Sequence, residues 1–182
     1  YRLAIASFMF AHEYETAQDL CDEFINKGAM NSDDYANAGY LLSLREEYTK
    51  ALEYYDKALE LQPDNFYPIY NKAFTLNFLG KYHDAMVLFN KAIELDPTVA
   101  SAYSNRALSR FKTGMEAEGH ADIASAFERE ANCAYRYRNL GIYHYDKEEY
   151  ATALGLFRKA KEQDPATHQI DHLIQLAEMK GH

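Results

Sequence analysis

Four asparagines, Asn37, Asn71, Asn105 and Asn139, recur along the chain at a strict 34-residue spacing. A second feature keeps the same period, because the segments ALEYYDKALELQP, AMVLFNKAIELDP and ALGLFRKAKEQDP end at Pro63, Pro97 and Pro165. A unit this short cannot bury its own apolar face, so successive copies have to stack and share one continuous core. That constraint removes most folds before composition is considered.

Inside each unit a small residue, an aromatic and a second small residue follow at intervals of four and three: Ala51, Tyr55, Ala58; Ala85, Phe89, Ala92; Ala153, Phe157, Ala160. Those intervals place the three on one helix face. The small side chains let a neighbouring helix approach closely, and the ring fills the space that remains. An earlier segment of each unit carries Gly39, Ala73, Ala107 or Gly141, with Tyr35, Ile69, Tyr103 or Tyr137 four positions before it. Two interlocking helices per unit follow from this pattern.

The small/aromatic/proline pattern over residues 32–167 resembles the tetratricopeptide repeat. The resemblance implies an all-α, right-handed superhelical solenoid of antiparallel helix pairs. It divides a single domain, 1–182, into units 32–65, 66–99, 100–133 and 134–167. Residues 1–31 are expected to form a degenerate first unit with Tyr14, Ala17 and Phe24 in register. Residues 168–182 are expected to form a capping helix, with Ile170, Leu173, Ile174 and Ala177 covering the apolar end of the stack.

The unit 100–133 departs from the pattern. Gly119 stands where the others have Ala, Glu116 where they have Tyr48, Tyr82 and Tyr150, and Arg110 where Leu42 and Leu76 are apolar; Ala131 replaces the proline. The expectation is that Arg110 and Glu116 reach the surface as solvated charges, with a buried ion pair between them as the alternative, and that this is the least stable unit.

In the family the first helix of each pair lines a concave groove. An Asn two residues before the packing Gly or Ala lies about 200° around the helix from it, and so faces that groove under the implied layout. A carboxamide donates and accepts at once, and can hold a peptide unit without regard to sequence. With first helices about 10 Å apart and an extended chain advancing about 3.3 Å per residue, four amides would grip roughly ten residues. The expected peptide-binding set is therefore Asn37, Asn71, Asn105 and Asn139, flanked by the aromatics Tyr40, Tyr67, Tyr70, Phe74 and Phe78. Arg106 and Arg138 are expected to be the cations that receive an acidic group or a C-terminal carboxylate. The alternative for the Asn column is duplication of an ancestral residue that bonds a neighbouring helix. The carboxylate clamp of heat-shock co-chaperones is matched at Asn105 but not at Tyr70, Phe74, Tyr135 or Asn139, so that function is not carried over.

Chemistry is not indicated. The chain holds no Gly-rich phosphate loop, nucleophile elbow or HExxH motif, and His168, Asp171 and His172 are expected to form an exposed polar face, with weak metal binding by the two histidines as the alternative. No cofactor is expected. Cys21 and Cys133 have no metal-ligand spacing. The net charge of −9 argues against nucleic acid as a partner. Residues 1–65 hold 5 Lys/Arg against 13 Asp/Glu, and residues 66–182 hold 14 against 15, so the excess acid lies in the first third. No apolar run is long enough to span a bilayer. Because the chain starts at Tyr1, inside a helical pattern, it is also consistent with a piece of a longer protein. The compartment stays open: cytoplasmic by default, periplasmic or anchored if a leader has been removed. The functional expectation is a non-catalytic interaction scaffold whose partner is another protein or a peptide. The alternatives are a regulatory or substrate-delivery arm of a larger enzyme or secretion machine, and a self-associating module that forms homo-oligomers.

Overall fold

The computed structural model describes residues 16, 19, 23, 30–130 and 133–181. The expected degenerate unit with Tyr14, Ala17 and Phe24, as well as Cys21 and Ala131, lies outside the described residues. The chain separates into two compact units, 1–79 and 80–182, divided in the turn inside the span predicted as the repeat 66–99. Unit 1 holds α1 (Ser32–Leu44), α2 (Tyr48–Leu61) and α3 (Phe66–Phe78). Unit 2 holds α4 (Tyr82–Leu95), α5 (Ala100–Lys112), α6 (Glu116–Arg129), α7 (Ala134–Asp146), α8 (Tyr150–Gln163) and α9 (Ile170–Lys180). Among the described residues there is no strand, and no helix is long and apolar enough to cross a membrane.

Local chemistry sets the helix ends. Asn31 begins α1 with a reciprocal cap: its side chain accepts from the Asp34 amide, and the Asp34 carboxylate accepts from the Asn31 amide, each at 2.9 Å. The turn after each predicted first helix needs one residue in the left-handed region. That position is Glu46, Gly80, Gly114 and Glu148, with φ of 62°, 70°, 80° and 63°, again 34 residues apart. In three of these turns the amide of the following residue closes onto the carbonyl five back: Glu47 onto Leu42 at 2.9 Å, Met115 onto Arg110 at 2.8 Å and Glu149 onto His144 at 3.0 Å.

The small/aromatic/small faces are wholly buried. Ala51, Tyr55, Ala58, Ala85, Phe89, Ala92, Ala153, Phe157 and Ala160 are all 0% exposed, and burying each ring stabilises by about 2–3 kcal/mol. Two of the rings are seated on glycines of the paired helix: a Cβ on Gly39 would lie 2.7 Å from Tyr55 Cε1, and one on Gly141 would lie 2.5 Å from Phe157 Cε1. The 100–133 repeat inverts this arrangement. It has Ile123 in place of the ring, and the first helix supplies Phe111, whose Cε1 sits 2.5 Å from where a Gly119 Cβ would be. The glycine that breaks the family pattern is thus the seat of a ring coming from the other side.

Within unit 1, Ser43 Oγ joins all three helices. It donates to the Gly39 carbonyl at 3.1 Å and meets Tyr55 OH at 3.1 Å and Thr75 Oγ1 at 3.0 Å. Within unit 2, α9 lies on α8, with Ile170 and Ala177 buried and Leu173 and Ile174 half-buried in the same cluster.

Candidate functional site

Helix α3 carries an aromatic at every fourth position, Phe66, Tyr70, Phe74 and Phe78, and this interval stacks side chains along one face. The rings form a continuous row. Phe66 stacks on Tyr70 with centroids 5.7 Å apart, Tyr70 on Phe74 at 6.4 Å, and Phe74 meets Phe78 edge-on at 4.9 Å. Tyr48, at the start of α2, extends the row by stacking on Phe78 at 5.8 Å; burial, then the Glu46 charge, holds its phenol above the ordinary value. Phe66, Tyr70, Phe74 and Phe78 are all half-buried, and Tyr67 beside them is 67% exposed. Asn71 is half-buried on the same helix, and Asn37 and Tyr40 are half-buried on α1, in register with Asn71 and Phe74. Rings braced by one another lose little freedom when a guest arrives, which favours their use as a contact surface.

Unit 2 treats the same columns differently. Asn105 and Asn139 are 0% exposed. Asn139 Nδ2 donates to Asn105 Oδ1 at 2.9 Å and to the Ser104 carbonyl at 2.8 Å, tying α7 to α5. Arg138, 2% exposed, donates from one guanidinium nitrogen to Asn139 Oδ1 at 2.7 Å and from Nε to the His168 carbonyl at 2.9 Å. The sequence expectation of amides and a guanidinium open to a peptide is corrected here: the two amides join helix to helix, and Arg138 braces Asn139 and holds the segment that precedes α9. The physical reason is burial, since a carboxamide taken from water must find partners inside the protein.

Arg106 is likewise committed. Its Nε and one terminal nitrogen grip both oxygens of Asp122 at 2.9 and 2.6 Å, and the other reaches Asn90 Oδ1 at 2.7 Å. Arg110 completes the cluster at 2.7 Å from Asp122 Oδ2 and donates to the Glu118 carbonyl at 3.1 Å. The Arg110–Glu116 pair is therefore not formed, and Arg110 is not a solvated charge. Glu116 pairs instead with Lys147 at 2.5 Å and accepts from Tyr143 at 3.0 Å, which holds its carboxyl below the usual range. Sequence reasoning missed Asp122, although a signal existed: at the 34-residue interval the other repeats place Tyr54, Leu88 and Leu156 there, and Arg106 and Arg110 lie on the facing helix. Lys72 pairs with Asp56, and Lys112 with Asp146 at 2.5 Å. The guanidinium of Arg136 lies 4.5 Å from the centre of the Phe127 ring and 4.4 Å from that of Tyr137. Among the described residues no three His, Cys, Asp or Glu side chains converge on a metal position.

Family models described as tetratricopeptide repeat match residues 32–65, 54–86 and 133–162, and one described as TPR repeat matches 78–114. Solved structures share the fold. YrrB, described as a TPR protein with an unusual peptide-binding site, is 22% identical over 94% of this chain and 88% of its own, with a TM-score of 0.63. TTC0263, a thermophilic TPR protein of Thermus thermophilus, is 15% identical over 97% and 96%, with a TM-score of 0.76. MamA (41-end) from Desulfovibrio magneticus RS-1 is 21% identical over 92% and 95%, with a TM-score of 0.70. Comparison with curated proteins gave no match. The matched repeats together span residues 32–114 and 133–162, and the all-α helical-repeat fold agrees with them: the chain belongs to the tetratricopeptide-repeat family.

Proposed function

We propose that this chain is a protein-interaction scaffold that holds a partner segment along the aromatic row of α3, with Asn71 and Asn37 as the amides that grip the segment's backbone. The observation that carries the reading is the row itself: four rings braced edge to edge or face to face, with the exposed ring of Tyr67 at one end. Aromatic side chains of this kind supply most of the contact energy where proteins meet. The structural neighbour YrrB, whose description names a peptide-binding site, supports a peptide as the guest. The contact set consists of Tyr40, Tyr67, Tyr70, Phe74 and Phe78 with Asn37 and Asn71; Asn105, Asn139, Arg106 and Arg138 act from within the fold. The role is non-catalytic, as is general for repeats of this family.

Selection of ten-residue peptides from a random display library on the intact protein tests the reading. Peptides recovered on the wild type should bind Phe74→Ala about thirtyfold more weakly, the loss of one central aromatic contact of about 2 kcal/mol. Asn71→Ala should weaken unrelated peptides by a similar factor, because it reads backbone. Peptides that bind both variants as well as the wild type, with helix content unchanged, would remove α3 from the interface.

A further inference from the structure

The partner's charge can be read from unit 1. Residues 30–79 contain eight carboxylates, Asp33, Asp34, Glu46, Glu47, Glu53, Asp56, Glu60 and Asp64, against four cations. Each of those cations is already engaged. Arg45 and Lys50 lie on Glu47 at 3.3 and 2.6 Å, Lys72 pairs with Asp56, and Lys57 sits 5.9 and 5.1 Å from the Tyr35 and Tyr54 ring centroids. Asp33, exposed at the start of α1, has no cation beside it among the described residues.

Asp33 is held next to the end of the aromatic row by one buried amide. Asn65 donates from Nδ2 to Asp33 Oδ1 at 2.7 Å and to Ser32 Oγ at 3.0 Å, while its Oδ1 accepts from the Tyr67 amide at 3.2 Å. The carboxylate and the Tyr67 backbone therefore lie on opposite ends of a single carboxamide, within about 8 Å of each other when two hydrogen bonds and the amide's own width are added. The Tyr67 ring is 67% exposed and packs edge-on against Phe66 at 5.6 Å. Elsewhere the chain places its own cations on tyrosine faces, as with Arg129 at 3.9 Å from the Tyr103 centroid. No such cation of the described residues covers Tyr67.

We infer that the segment bound along α3 carries a lysine or arginine at this end, its charge meeting the Asp33 carboxylate and its stem lying on the Tyr67 ring, with apolar residues following along Tyr70 and Phe74. The inference rests on the proposed aromatic-row reading and replaces the acidic ligand expected from sequence, because the arginines meant to receive an acid are bound internally. A carboxylate and an exposed aromatic face together favour a cation, and both contributions weaken in salt.

The probes are three end-capped decapeptides with a single X directly beside a Phe-Ser-Gly-Phe stretch in a serine–glycine background, X being lysine, glutamine or glutamate, titrated against the intact protein at low ionic strength. The lysine peptide should bind about fivefold more tightly than the glutamine peptide, the combined effect of one exposed cation–π contact and one exposed ion pair, and the glutamate peptide should bind most weakly. In about 1 M salt, where screening acts beyond roughly 3 Å, the order should collapse. Asp33→Asn keeps an oxygen for Asn65 to bond and should abolish the lysine preference, whereas a general attraction to the chain's net charge of −9 would survive that single change. Tyr67→Leu should weaken the lysine peptide more than the glutamine peptide. Equal binding of the lysine and glutamate peptides, or a lysine preference that persists in Asp33→Asn, overturns the inference. If the glutamine peptide binds and Phe74→Ala releases it, the aromatic-row reading stands even where the charge preference fails. If none of the three binds, both fall.

Discussion

Asn139 donates its side-chain amide to Asn105 Oδ1 at 2.9 Å, bridging two positions one full repeat apart, and neither side chain reaches solvent. Arg138 donates into the other end of Asn139, so a charge heads a short relay that runs from α7 to α5. Asn139→Ala leaves the Asn105 oxygen, the Ser104 carbonyl and a guanidinium N–H without this partner at once. A loss of about 1–3 kcal/mol in urea-induced unfolding is expected. The same substitution at half-exposed Asn37 should stay within about 0.5 kcal/mol. One column of asparagines would thereby separate into structural and surface members.

The inverted ring seat in the 100–133 repeat gives a second prediction. A Cβ at Gly119 would fall 2.5 Å from Phe111 Cε1 and 2.6 Å from Cδ1, so Gly119→Ala must displace a buried ring. Overpacking of this kind should cost about 1–3 kcal/mol. Adding Phe111→Leu should recover part of the loss, so that the two changes are non-additive in a double-mutant cycle. At Gly155, where nothing lies within 4 Å of an added Cβ, Ala should instead stabilise α8 by about 0.5–1 kcal/mol. Thermal unfolding of the four variants tests the whole set.

The repeats were legible because packing between like helices repeats its demands. Ala51, Tyr55 and Ala58 announce a close helix crossing by size alone, and each is fully buried. The Asn column was equally visible, but its direction was not: the same amide is half-buried in α1 and α3 and sealed in α5 and α7, and only the neighbours decide which. Gly119 looked like a defect because its complement, Phe111, sits on the other helix and outside the motif. Asp122 stayed hidden for a related reason. A lone acid among apolar positions shows its purpose only when the facing turns bring Arg106 and Arg110 to it, and that pairing is a property of the crossing and not of either segment.

The left-handed turn residues predict a gain. Glu46 and Glu148 hold φ of 62° and 63° where Gly80 and Gly114 occupy the same repeat position. An L side chain there costs roughly 1–2 kcal/mol, partly offset by the extra chain entropy of glycine when unfolded. Glu46→Gly and Glu148→Gly should each stabilise by about 0.5–1 kcal/mol, the remainder of those two opposing effects. A fall in melting temperature in either variant would show that the glutamate side chain contributes more than its backbone costs.

Asp122 predicts the opposite kind of change. Its side chain is 4% exposed and is held between Arg106 and Arg110, whose side chains are 14% and 20% exposed. Asp122→Asn keeps the shape and removes the charge, leaving two partly buried cations without their counter-ion, and should cost about 3 kcal/mol or more. Replacing all three with Leu at 122 and 110 and Met at 106 should restore most of the stability, since apolar groups of similar volume often substitute for such clusters. If Asp122→Asn is as stable as the wild type in guanidinium titrations, packing and not charge is what Asp122 supplies.

Acid should loosen the end of unit 2 through His168. Burial, and then the neighbouring Arg138 charge, lower its pKa from the ordinary 6.5 to about 4. The folded state therefore keeps this ring neutral at pH values where the unfolded chain protonates it. The unfolded state binds more protons between those two values, so the His168 contribution is fully present above about pH 6.5. It is lost progressively as pH falls through the window and is constant below about pH 4. The ring is only partly enclosed, and after allowance for solvent screening the loss is on the order of 2 kcal/mol. Its backbone carbonyl also receives Arg138 Nε at 2.9 Å, just before α9 begins at Ile170, so protonation acts on the junction that seats the last helix. Amide exchange in α9 should accelerate from about pH 6.5 to about pH 4 more than in α8, after correction for intrinsic rates. In His168→Gln, which cannot titrate, that excess should vanish while the slope from carboxylate protonation remains. An unchanged excess in the variant would assign the acid sensitivity to other groups.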